Sequence, residues 1–186
     1  VIQKLATHTL STADFGVFVL IQFWADALNV FSNLGLANSL PRVVAAAPAH
    51  ERQATTAAAL TGTALFSVAV GLAGWGVWVL GAGTAAGWLG DDDRHFLAFA
   101  WLVPPLYFVG VMRDTVLAAL AGLHRFSHRA LSMGIASGLS MGIAGALVAT
   151  GHVSVATFSG AIALGHGLNL AWLYAALPRG ARWRLD

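Results

Sequence analysis

Long apolar stretches alternate with short polar gaps along the chain. Each stretch has about 20 residues or more, the length that an α-helix needs to cross the hydrocarbon core of a membrane. The pattern predicts five full membrane-spanning helices, at residues 15–40, 55–80, 96–121, 130–150 and 153–177. Residues 1–11 are typical of the end of a further helix, so we expect residues 1–186 to be a single helical bundle within a longer protein.

Two local signals refine the helix boundaries. Ser11, three residues before Asp14, fits the capping-box pattern and predicts a helix start. Pro104 and Pro105 lie inside the third apolar stretch, where proline removes a backbone donor and clashes with the preceding turn. We expect the helix either to kink at these prolines or to begin its regular part there.

The fourth apolar stretch carries a stripe of glycines. Gly134, Gly138 and Gly142 recur at every fourth position, which places them on one face of a helix. Small residues in this arrangement allow two helix backbones to approach closely in lipid. We predict that the stripe packs against a neighbouring helix of the same chain rather than forming a dimer contact.

The composition agrees with a membrane location. Of the 186 residues, 58% are hydrophobic and only 10% are charged, whereas about a quarter of a soluble domain is charged. We therefore predict an all-α integral membrane protein and not a soluble enzyme, with no catalytic residues, no metal and no cofactor. The absence of cysteine excludes disulfides and thiolate metal sites. The basic residues are dispersed, so the sequence does not indicate nucleic-acid binding.

The basic residues divide unequally between the two sides of the predicted bundle. The gaps at residues 41–54, 122–129 and 178–186 fall on one side and hold seven arginines, which are Arg42, Arg52, Arg125, Arg129, Arg179, Arg182 and Arg184. The gaps on the other side hold only Lys4 and Arg94. Because cytoplasmic loops are enriched in Lys and Arg, we predict that the arginine-rich side and the C-terminus are cytoplasmic.

Three short motifs occur in order along the chain. The pattern Leu-Ser-x-x-x-Phe-Gly-x-Phe occupies residues 10–18, and Gly-Leu-x-x-x-x-x-Arg occupies residues 35–42. The pattern Gly-x-x-Arg-Phe follows at residues 122–126. In order and spacing these motifs resemble helices two to six of the polysaccharide flippases of the multidrug/oligosaccharidyl-lipid/polysaccharide exporter superfamily. The resemblance implies the N-terminal half of a MATE-like transporter, whose missing C-terminal half would be its partner.

The same resemblance implies a function. Such flippases move a lipid-linked oligosaccharide, carried on a polyprenyl diphosphate, across the bacterial cytoplasmic (inner) membrane for cell-surface polysaccharide or lipopolysaccharide biosynthesis. The expected partners are this lipid-linked oligosaccharide and the surrounding membrane lipids. Sheltering a diphosphate from hydrocarbon needs a polar, preferably cationic cavity that opens alternately to each side. Two alternatives stay open, a MATE-type drug/cation antiporter and a non-transporting helical membrane scaffold.

Charged residues inside membrane spans are costly and usually functional. Asp26 is expected to bind a coupling ion, to pair with a basic residue, or to form a structural hydrogen bond within the bundle. Arg113 is our candidate for contact with the lipid diphosphate, and an ion pair with another helix is the alternative. Adjacent residues point in different directions on a helix, so Asp114 is not expected to pair neatly with Arg113.

Polar residues on the first span extend this candidate site. Asn29 and Asn33 are four residues apart and form a polar stripe with Asp26, suited either to sugar hydroxyls or to interhelical hydrogen bonds. Arg42, which ends the second motif, completes the candidate substrate-binding set. His166, in the last span, is interpreted as a protonation site or as a hydrogen-bonded packing residue.

Overall fold

The computed structural model describes residues 2–33, 36–85 and 96–182, and every regular element within these ranges is helical. The helices are α1 (Ile2–Thr9), α2 (Thr12–Asn33), α3 (Leu36–Ala46), α4 (Arg52–Ala85), α5 (Val103–Gly122), α6 (Phe126–Ala149) and α7 (Val155–Ala176). Short 3₁₀ turns at Ala100–Leu102 and Arg179–Ala181 precede α5 and follow α7. The chain is therefore an all-α protein over its described residues.

Four of the described helical segments are long and apolar enough to cross a membrane. They are Thr12–Ser32, Arg52–Val77, Phe96–Gly122 and Phe126–Ala149. The chain thus has the helices of a multi-pass membrane protein, but the prediction of five full spans was wrong. The fifth stretch does form α7, which is 22 residues long, yet His166 and Asn169 interrupt its apolar sequence. The first stretch ends earlier than predicted, because α2 ends at Asn33 and α3 begins at Leu36.

The two local signals agree with the structure. Ser11 Oγ accepts a hydrogen bond from the backbone N–H of Asp14 at 3.1 Å and donates one to its carboxylate at 2.7 Å, at the start of α2. This confirms the capping box. Pro104 and Pro105 occupy the first turn of α5. Backbone N–H groups in the first turn have no partner within the helix, so proline costs no hydrogen bond there. The regular helix therefore begins at these prolines.

Helix α5 lies at the centre of the bundle. It packs against α2, α3, α4, α6 and α7. Its side chains enter all three hydrophobic clusters of the described residues, through Tyr107 and Val111, through Val116 and Leu120, and through Ala118 and Ala119. A helix surrounded in this way is the one best placed to hold polar groups away from lipid.

Large apolar side chains cover the outside of the bundle. Val30, Val77 and Met133 are each more than 70% exposed, and they belong to three different candidate spans. In water such a surface would drive aggregation, whereas in a bilayer it faces hydrocarbon of the same polarity. The exposed apolar surface therefore agrees with a membrane location.

The glycine stripe of α6 does not pack as predicted. A Cβ atom added at Gly134, Gly138 or Gly142 would meet nothing within 4 Å, so this face points out of the chain. The opposite face of α6 packs on α7, and there a Cβ at Gly165 would lie 2.6 Å from the backbone nitrogen of Ser140. The close approach of the two helices depends on the glycine of α7 and not on those of α6.

Described contacts bring the arginine-rich gaps to one end of the bundle, as the alternation of helix directions predicts. Gly122, at the end of α5, lies against Val44 of α3, where an added Cβ would be 2.7 Å from the Val44 Cβ. Gly180, after α7, lies against Gln53 at the start of α4. Which membrane face this end occupies stays a prediction.

Three arginines at this end complete helix termini. Residues 45–52 and 175–182 share the pattern Ala-Ala-x-Pro-x-x-x-Arg. In both segments the arginine turns back on the preceding helix: Arg52 donates to the carbonyls of Ala47 and Ala45 at 3.0 and 3.2 Å, and Arg182 donates to those of Leu177 and Ala175 at 3.3 and 2.9 Å. Arg125 also donates to the carbonyl of Ala176. These cations satisfy carbonyl groups that a helix end leaves free.

Candidate functional site

The charged residues of α5 form the centre of the candidate site. Arg113 lies nine residues before the end of the helix at Gly122, which corresponds to about 14 Å along its axis, and Asp114 follows it directly. Both side chains are largely buried, with 23% and 27% of their surface exposed. They are therefore held inside the bundle and away from its arginine-rich end.

Arg113 and Asp114 form an ion pair with each other, contrary to the sequence prediction. The guanidinium donates from Nε and Nη2 to the same carboxylate oxygen, Oδ1, at 3.0 and 2.8 Å. The argument from helix directions failed because the long arginine side chain folds back along the helix toward its neighbour. One guanidinium edge is thereby occupied, and the Nη1 group stays available for other contacts.

The Nη1 group of Arg113 contacts His166 on α7. It lies 3.0 Å from Nδ1 and 3.3 Å from Nε2 of the imidazole. Because the two distances are nearly equal, Nη1 lies against the ring and is aligned with the lone pair of neither nitrogen. His166 is thus a direct neighbour of the guanidinium, and both interpretations of this histidine stay predictions.

Helix α2 supplies the third side of the cluster. Asn29 donates from Nδ2 to the remaining carboxylate oxygen of Asp114, Oδ2, at 3.2 Å. This is an interhelical hydrogen bond, one of the two roles expected for Asn29. Asp26, one turn earlier, is exposed on this chain and lies within electrostatic range of Arg113 and Asp114. Asn29 of α2 and the charged pair of α5 therefore form one polar cluster, with Asp26 near it.

The other two candidate residues do not join this cluster. Asn33 ends α2, and its side chain lies outside the described part of the structure. Arg42 is an exposed residue of α3. It is absent from the described residues that line the cavity beside Arg113. Of the predicted set, Arg113 and Asn29 are joined through Asp114, and Asp26 lies within electrostatic range of them.

A cavity of about 360 Å³ adjoins the cluster between α5, α6 and α7. Its polar wall comprises Arg113, Asp114, Arg129, Ser132, Ser137 and His166. The cavity extends to Arg129, an exposed residue in the first turn of α6, and so reaches toward the arginine-rich end. Helices α5 and α6 pack less closely on each other than α5 packs on its other neighbours, and the space between them forms part of the cavity.

Sequence reasoning missed several polar contacts around this cavity. Asn169 of α7 is fully buried and donates from Nδ2 to Oγ of Ser132 at 2.8 Å, which ties α7 to α6 beside the cavity. Two turns before Asp114 on α5, the hydroxyls of Ser32 and Tyr107 lie 2.5 Å apart and tie α5 to α2. A lone Asn or Tyr in an apolar helix is the signal that predicts such bonds, but it does not name the partner.

The cavity presents hydrogen-bond donors at two depths. Arg113 lies at its inner end and Arg129 on its rim. Ser137, an exposed residue of α6, also lines the cavity. Guanidinium groups hold phosphate and carboxylate oxygens through parallel hydrogen bonds. The arrangement suits an anion with several oxygen atoms, while Asp114 limits the net positive charge.

No protein-family profile, curated protein or solved structure matches the chain. The resemblance to polysaccharide flippases and the MATE-like half-transporter fold therefore stay predictions from the sequence motifs.

Proposed function

We propose that the chain is part of a flippase that moves a polyprenyl-diphosphate-linked oligosaccharide across the bacterial cytoplasmic membrane by alternating access, for cell-surface polysaccharide biosynthesis. The observation that carries the proposal is the guanidinium of Arg113, held between apolar helices on the wall of a polar cavity. The three sequence motifs give the proposal its substrate class. The arginine-rich end and the C-terminus are assigned to the cytoplasm.

A purely structural role explains the position of Arg113 less completely. A charged side chain within a membrane span is costly, and one ion pair with Asp114 offsets part of that cost. A structural ion pair alone needs no adjoining cavity, yet Arg113 borders one that also contains Arg129 and Ser137. A substrate-binding role and a structural role predict different consequences when a substitution of Arg113 keeps the positive charge but changes the shape of the side chain.

Substitution of Arg113 tests the proposal. Arg113→Lys keeps the charge but loses the parallel hydrogen bonds, and Arg113→Gln loses both. We expect both variants to lose most polysaccharide export at normal membrane abundance, measured in cells whose export depends on this protein. The matched control is Arg179→Gln, an exposed arginine in the turn after α7 that should keep full export. Full export in Arg113→Gln would exclude a substrate role, and a fall in abundance would favour the structural ion pair.

The second candidate is a drug/cation antiporter, and the exposed carboxylate of Asp26 favours it. A cationic substrate requires an acidic cavity whose carboxylates are not neutralised. The described lining of the cavity has two arginines and the one carboxylate of Asp114, and it does not include Asp26, so the anionic substrate is preferred. Loss of resistance to a cationic drug in Asp26→Asn, with polysaccharide export unchanged, would favour the antiporter instead.

A further inference from the structure

The contact between Arg113 and His166 depends on the charge of the imidazole. Nη1 of Arg113 lies 3.0 Å from Nδ1 and 3.3 Å from Nε2, so it lies against the ring and is aligned with the lone pair of neither nitrogen. A protonated imidazole would place a second positive charge against the guanidinium. Protonation of His166 therefore sets two cations side by side, an arrangement that an anion bound to both would stabilise.

The described residues that line the cavity carry more positive than negative charge while His166 is neutral. Two arginines face it, Arg113 from α5 and Arg129 from α6, and the carboxylate of Asp114 opposes them. Asp26 of α2 interacts electrostatically with Arg113 but does not line the cavity. Protonation of His166 on α7 adds one more positive charge to this lining. The protonation state of the histidine thus changes how strongly the cavity attracts an anion.

We propose that His166 couples proton binding to the binding of a phosphate-class anion in this cavity. The proton gives the ring a second N–H group, so that the guanidinium and the imidazolium both donate to the phosphate oxygens. Loss of the proton removes one donor and one positive charge and weakens the hold on the anion. This inference rests on the proposed function, because it assigns regulation to the same site.

Thermodynamic linkage makes the coupling reciprocal. If the proton raises the affinity for the anion, then the bound anion raises the affinity for the proton by the same factor. The guanidinium beside His166 opposes the proton of the imidazole, so the proton binds mainly when the anion is also bound. The coupling should therefore appear as tighter anion binding toward acid pH and as proton uptake when the anion binds.

The probe is inorganic diphosphate, titrated calorimetrically into the purified chain in nanodiscs of zwitterionic lipid. We expect about tenfold tighter binding at about pH 5.5 than at about pH 7.5. Diphosphate itself loses charge toward acid pH, so a site without the histidine should show the opposite trend. Proton uptake is measured in the wild-type chain from titrations in two buffers of different ionisation enthalpy, and it needs no variant.

His166→Gln keeps a polar acceptor without the titration, and it should bind diphosphate with no gain at acid pH and no proton uptake. The matched control is His152→Gln, which changes an exposed histidine in the turn between α6 and α7 and should retain the wild-type pH dependence. Thermal melting of each variant at both pH values verifies folding. Equal gains in His166→Gln and the wild type, or no proton uptake in the wild type, would overturn the coupling.

Two further results separate this inference from the function on which it rests. Binding of diphosphate without pH dependence would remove the coupling and leave the flippase proposal standing. No binding at either pH, for both inorganic diphosphate and a short-chain prenyl diphosphate, would overturn both. A pH-dependent response to the prenyl diphosphate alone would support the coupling and identify a lipid headgroup, rather than a free anion, as its ligand.

Discussion

Helices α5 and α6 are neighbours of similar length and hydropathy, but they occupy different places in the bundle. The candidate span that contains α5 has a mean hydropathy of 1.5 and is 44% buried, whereas that of α6 has a mean hydropathy of 1.7 and is 22% buried. What separates them is the charge at mid-helix. Arg113 and Asp114 lie within α5, while the only charged residue of α6, Arg129, is in its first turn. Hydropathy identifies both spans, and the internal charges identify the inner one.

The buried positions of α6 show what an outer helix requires. Ser132, Ala136, Ser140 and Ala144 recur at every fourth position and form its only buried face. Apart from the residues that line the cavity, the remaining surface is available to lipid, and the three glycines of the stripe lie on it. A peripheral helix therefore needs one face of small residues to pack on its neighbour. The glycines on its other face make no packing contact within the described part of this chain.

The largest expected effect separates the packing glycine from the glycine stripe. In Gly165→Leu the side chain meets the backbone of Ser140, and because the two helix backbones must move apart we expect a loss of about 3 kcal/mol of stability. The measurement is thermal or denaturant unfolding of the chain in a membrane mimetic.

Gly138→Leu is the matched control, because the same substitution on α6 meets open space. It should change the stability by less than about 0.5 kcal/mol. Equal destabilisation by both substitutions would mean that the stripe packs against protein after all, and the comparison of α5 with α6 would lose its basis.

A smaller effect is expected at the ion pair of α5. Asp114→Asn preserves the shape of the side chain but removes the negative charge that holds Arg113. It also weakens the hydrogen bond that Asn29 donates to this side chain. We expect a loss of about 2 kcal/mol, because hydrogen bonds to charged groups contribute more than neutral ones. Arg129→Gln, on the exposed rim of the cavity, should cost less than about 0.5 kcal/mol in the same unfolding experiment. A similar cost at both positions would contradict the distinction between an inner and an outer helix.

The sequence predicts the helices and the candidate charges better than it predicts their partners. The helix start at Ser11 and the beginning of α5 at the prolines follow from local backbone chemistry, so they could be stated in advance. The pairing of Asn29 with Asp114 depends on how α2 packs on α5, which hydrophobic periodicity does not determine. For the same reason the sequence indicated polar residues for the site but not the contact of His166 with Arg113.

The wrong predictions have the same origin. The glycine stripe identified a face of α6 that allows close approach, but whether a helix occupies it is decided by the rest of the bundle. The arginines of the predicted cytoplasmic side were interpreted as topological charges, and Arg52, Arg125 and Arg182 also complete helix ends. Both cases require the three-dimensional neighbours of a residue, which spacing along one helix cannot supply.

The central claim is that a water-accessible polar cavity lies beside α5 within a membrane bundle, and two adjacent residues of α6 test it most directly. Ser137 lines the cavity, whereas Gly138 faces away from the chain, at nearly the same depth. The chain has no cysteine, so Ser137→Cys and Gly138→Cys each introduce a single thiol. We predict that an impermeant thiol reagent applied from the cytoplasmic side labels Ser137→Cys and leaves Gly138→Cys unlabelled. Equal labelling of the two positions, or labelling of Gly138→Cys alone, would contradict the account.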